Sequence, residues 1–106
     1  MNTYRRILRA ADNSHPYWVA LIEDKCIGQN YHVIRDFCEQ RGLSLSRHGH
    51  SVTHQADYYQ VFMFAEDAHA DIFCMEFGGE RMRPSEKGKG KHWSSWRKGT
   101  APPSKR

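Results

Sequence analysis

Two short runs, YWVALI (17–22) and YYQVFMFA (58–65), are apolar on both parities. A strand points successive side chains to opposite faces, so a strand with one wet face alternates apolar and polar residues. These two do not. Tyr17, Val19 and Leu21 oppose Trp18, Ala20 and Ile22, while Tyr59, Val61 and Met63 oppose Tyr58, Phe62 and Phe64. Both runs read as central strands of a sheet that needs a cover on each face.

Two segments can supply one cover. NYHVIRDFCEQRG (30–42) repeats Tyr31, Ile34, Phe37 and Cys38 at helical spacing, with Arg35, Asp36, Glu39 and Gln40 largely on the other side. Asn30 suits a helix cap and Gly42 a left-handed stop. DAHADIFCMEFGG (67–79) predicts a second helix capped by Asp67, stopped at Gly78 and buried through Ala70, Phe73, Cys74 and Phe77. LSLSRHGHSVTH (43–54) alternates as a strand that Gly49 interrupts, as at a bulge, HQAD (54–57) suits a hairpin, and ERMR (80–83) reads as a short edge strand. TYRRILRA (3–10) fits a short strand or a helix start.

The resulting order is strand, helix, strand, strand, helix, strand. It predicts an α+β two-layer sandwich with both helices on one face of an antiparallel sheet. Over residues 17–83 that order resembles the ferredoxin-like superfold, βαββαβ. The superfold hosts RNA-binding domains, small nucleases, dimeric oxygenases and ligand-sensing modules, so function does not follow from it. The sheet's second face then needs its own cover: another copy in a homodimer, the N-terminal segment or tail of the same chain, or bases stacked on its aromatics.

The 106 residues suffice for one domain. No apolar run reaches the roughly 20 residues of a membrane span. No secretory pattern opens the sequence, so a cytoplasmic location is expected. Cys26, Cys38 and Cys74 are odd in number and lack C-x-x-C spacing, which predicts reduced thiols rather than a disulfide framework. Charge is segregated. Residues 1–80 hold 7 Lys+Arg against 11 Asp+Glu, whereas residues 81–106 hold nine against one, Glu86. This divides the chain into a compact domain, 1–84, and a basic arm, 85–106, whose final TAPPSKR reads as disordered.

Within the arm, Lys87, Lys89 and Lys91 alternate with glycines and lead into Trp93, Trp96, Arg97 and Lys98. Cations neutralise phosphates and release counterions, and aromatics stack on unpaired bases. Trp93 and Trp96 are one helical turn apart, so they would share a side, either anchoring the arm on the domain or stacking on bases. Arg81 and Arg83 would extend that surface.

RHGHSVTH places His48, His50 and His54 on one parity. On a continuous strand His48 and His50 would lie about 6.6 Å apart, within reach of a shared metal, and His54 would join them only where the strand bends at Gly49 or turns after Val52. A His pair beside Arg47 also supplies the residue types of a small nuclease. Asp24, at the end of the first central strand in IED (22–24), resembles the metal-binding Asp of some ferredoxin-like nucleases. The bland readings weigh more: polar edge-strand histidines, and solvent-facing Glu23 and Asp24. No P-loop or dinucleotide fingerprint is present, and no cofactor is expected. The sequence thus predicts a non-catalytic binding protein whose basic arm contacts nucleic acid or a nucleoprotein complex. A protein–protein regulator or inhibitor, accessory or phage-type, acting through the apolar sheet face is the second reading, and a His/Asp nuclease the third.

Overall fold

A computed structural model describes residues 14–54 and 56–83. The segment 3–10 and the arm 85–106, with its lysines and tryptophans, lie outside the described residues. The elements run β1 (Tyr17–Ile22), a 3-10 turn (Glu23–Lys25), α1 (Gln29–Gln40), β2 (His50–His54), β3 (Asp57–Phe64), α2 (Asp67–Phe77) and β4 (Glu80–Met82). They form a small α+β unit with two helices and a four-stranded antiparallel sheet, ordered β2-β3-β1-β4. Each strand–helix–strand unit is split by a strand of the other: β3 separates β1 from β2, and β1 separates β3 from β4.

The two doubly apolar runs take the central positions. Their register pairs Trp18 with Met63, Val19 with Phe62 and Ala20 with Val61. On one face Val19, Leu21, Phe62 and Phe64 meet Ile34 and Cys38 of α1 and Ala70 and Phe73 of α2. Phe73 is the hub, with its ring centroid 4.9 Å from Phe62, 5.4 Å from Phe64 and 5.1 Å from Phe77. Burying one such side chain contributes on the order of 2 kcal/mol, so this face accounts for much of the fold's stability. The other face carries Trp18, Ala20, Val52, Tyr59, Val61, Met63 and Met82 as a second buried cluster to which neither helix contributes. The Trp18 indole N–H donates to the His15 carbonyl at 2.7 Å, which satisfies its one polar atom.

Local chemistry moves some element ends. Helix α1 starts at Gln29 behind Gly28, which has φ 61°; Asn30 sits inside the helix and its side-chain amide reaches the Asp24 carbonyl at 3.5 Å instead of capping. Glu66, not Asp67, occupies the cap position of α2, and the Asp67 carboxylate pairs with Arg81. Gly79 joins α2 to β4 at φ 102°, and a β-carbon there would lie 2.8 Å from Val19 Cγ1 and 2.9 Å from the Ala20 carbonyl oxygen. Only glycine lets this connection press onto β1.

The largest departure from the expected pattern is at β2. The strand expected from residue 43 begins only at His50; ahead of it stands an isolated bridge, Leu45 to Phe64. From that bridge to the His50–Val61 pair, the edge advances five residues while β3 advances three. Two extra residues on the edge must leave the ladder, as in a bulge. Residues 46–49 form that excursion.

Candidate functional site

The excursion is a built loop. The Ser46 backbone N–H donates to the Met63 carbonyl at 2.8 Å, and the Ser46 hydroxyl accepts the His48 backbone N–H at 3.1 Å. Ser46 is buried, whereas Arg47 and His48 stand exposed. Gly49 then returns the chain to the sheet. A β-carbon at Gly49 would lie 2.5 Å from the Val61 carbonyl oxygen, so the backbone passes where no side chain fits.

This loop forms one wall of a cleft of about 250 Å3. The facing wall comes from α1, which presents Tyr31 and Arg35 one turn apart. Ser51 and Gln60, hydrogen-bonded to each other across β2 and β3, line it further. Arg47 and His48 contribute from the loop. Tyr31, expected among the core residues of α1, is 45% exposed, and the Arg35 guanidinium sits 5.8 Å from its ring centroid. Neither Arg35 nor Arg47 has an acidic partner among the described residues. The cleft therefore combines two uncompensated cations, a histidine, hydroxyl and amide groups, and an exposed aromatic ring. That set suits an anion attached to a planar group.

The sequence-predicted positions fall differently. The three histidines do not share one strand face, because the bulge removes His48 from the strand. His50 is buried, with its ring 5.1 Å from Trp18 on the face away from the helices, and His54 lies at the hairpin end of β2. No group of three His, Cys, Asp or Glu is gathered to hold a metal among the described residues. His48 and His50 both border the cleft, but Asp24, exposed on the 3-10 turn, does not. Of the three residues of the nuclease reading, the cleft thus takes in the two histidines and not Asp24. Arg81, expected on a basic surface, is 8% exposed and faces inward opposite Val19. Its guanidinium donates to Asp71 at 2.7 Å and to Asp67, so this cation is committed to holding β4 against α2. Arg83 is exposed just beyond β4.

His69 also has a structural task. Its Nδ1 accepts the Ser44 backbone N–H at 2.9 Å, and its Nε2 lies 3.5 Å from Glu66. It ties the start of α2 to the chain leaving α1. Cys26, Cys38 and Cys74 form no disulfide. Burial, reinforced by Glu23, pushes Cys26 up to about 11, and burial pushes Cys38 up to about 11 against the opposing pull of Arg35. Both are therefore poor nucleophiles at neutral pH. No described helix is long and apolar enough to cross a membrane.

Sequence reasoning separated Tyr31 from Arg35 by assigning one to the core face and the other to solvent. Their four-residue spacing was the available signal, but the wall opposite them is created by the bulge. No protein-family model, curated protein or solved structure matches the chain.

Proposed function

We propose that this protein is a non-catalytic binding domain for nucleic acid, alone or within a nucleoprotein complex. The observation that carries the reading is the segregation of charge: nine Lys+Arg against one acid from residue 81 onward. Arg81 is spent inside the fold, which leaves Lys87, Lys89, Lys91, Arg97 and Lys98 as the principal phosphate contacts, with Arg83 at their base. Trp93 and Trp96 anchor the arm or stack on bases. The cleft cations Arg35 and Arg47, which have no acidic partner among the described residues, add a second basic feature on the domain itself. The regulator reading is weaker because the second sheet face, which a protein partner would use, is already buried in the single chain.

The finer architectural reading is that the domain is ferredoxin-like. Its support is the double split of the strand–helix–strand units: read from the opposite edge, the sheet runs β4-β1-β3-β2 with every pair antiparallel. The functional reading is tested by titrating labelled single- and double-stranded oligonucleotides with the full chain and with a Lys87→Gln, Lys89→Gln, Lys91→Gln variant. The variant is expected to bind at least tenfold more weakly at low salt. Equal affinities, or no binding by the full chain, contradict the assignment.

A further inference from the structure

We propose that the cleft between α1 and the 46–49 bulge is a nucleotide-sized phosphate site. Arg35 and Arg47 would hold the phosphate, and Tyr31 would take the base at the lip. The choice of a nucleotide over other phosphate esters rests on the nucleic-acid reading; the phosphate chemistry rests on the cleft alone.

Three observations support it. First, Arg35 and Arg47 come from different elements, a helix and a bulge, and line the same concave space. Neither is neutralised by an acid among the described residues. The domain's structural arginine looks different: Arg81 is buried and has two carboxylates. A concave wall with two arginines concentrates positive potential and offers planar donor forks that match phosphate oxygens. Second, the volume of about 250 Å3 falls below the roughly 300–1,000 Å3 of pockets that enclose a drug-sized molecule. It suits a phosphate with part of a sugar, leaving a base at the mouth. Third, the mouth carries an exposed aromatic ring, Tyr31, 45% accessible. A base stacked there would bury surface that water now reaches.

The bulge explains why the site exists. A regular edge strand would carry residues 46–49 in the ladder. The two-residue excess instead lifts Arg47 and His48 out of it, and the Ser46 hydroxyl and Gly49 hold the loop in that shape. His48 is placed to add a further hydrogen bond to the ligand.

The test is amide and side-chain NMR titration of the full chain with inorganic phosphate, AMP and adenosine, followed by a short single strand. The same series uses an Arg35→Ala, Arg47→Ala variant and a Tyr31→Ala variant. Expected are shifts of Tyr31, Arg35 and residues 46–49 with AMP, weaker ones with phosphate and none with adenosine. The double arginine variant should lose at least tenfold in AMP affinity, and Tyr31→Ala should bring AMP down to the level of phosphate. An AMP response unchanged in the arginine variant, or the absence of any cleft shift, overturns the proposal. Equal affinity for phosphate and AMP overturns the nucleotide assignment. The strand separates this failure from that of the wider reading. A strand that binds without touching the cleft refutes the site alone, whereas AMP binding without strand binding refutes the nucleic-acid function alone.

Discussion

Arg81 and Arg47 carry the same side chain to opposite ends. Arg81 lies across from Val19 on the helix-covered face and bridges to two carboxylates one turn apart on α2. Replacing it with alanine removes two charge-assisted hydrogen bonds and leaves a void under α2. The expected loss is about 2–4 kcal/mol in denaturant unfolding, with oligonucleotide affinity unchanged once the variant is folded. Arg47 is exposed on the bulge, and Arg47→Ala is expected to change stability by less than about 0.5 kcal/mol. A cheap Arg81→Ala would mean that the ion pairs do not hold β4. Sequence could not separate these two arginines. Charge counting treats them alike, and only the register that puts residue 81 opposite Val19 shows which is committed to the fold.

At the scale of the element, the regular pieces were legible, and of the irregular one only its place at Gly49. The doubly apolar runs identify β1 and β3 because their pattern has one physical solution, a strand covered on both faces. The glycines at 42 and 78 mark the ends of α1 and α2, and both adopt positive φ, 65° and 83°. The alternation through 43–54 misled, because Leu45 does bridge to Phe64 but the residues after it leave the ladder. A two-residue excess has no signature in alternation, since slipping by two restores the parity. Gly49 was the visible clue. Gly49→Ala, with its β-carbon forced to within 2.5 Å of the Val61 carbonyl oxygen, is expected to cost about 1–3 kcal/mol. Urea unfolding checks this. A neutral substitution would show that the loop shifts freely and that the cleft has no fixed wall.

The whole molecule joins a sheet with two buried faces to an arm in which basic residues are concentrated. Its interior makes one prediction about pH. Cys26 and Cys38 are held near 11, against an ordinary 9.0, mainly because the protein interior disfavours the thiolate. The unfolded chain releases these protons first, so their contribution is complete below pH 9 and is lost as pH rises towards 11. Stability should therefore fall across that window by roughly 2 kcal/mol per thiol, and Cys38→Ala should flatten the decline. A flat profile would place the thiols in contact with water. For the account as a whole, the decisive measurement is the affinity of the full chain for a labelled single strand as a function of salt. With about five phosphate contacts, log affinity should fall with log salt at a slope near −3.5, roughly a hundredfold between about 50 and 200 mM. Affinity that ignores salt, or no binding at the lower concentration, would contradict nucleic-acid binding and leave the arm's cations to another partner.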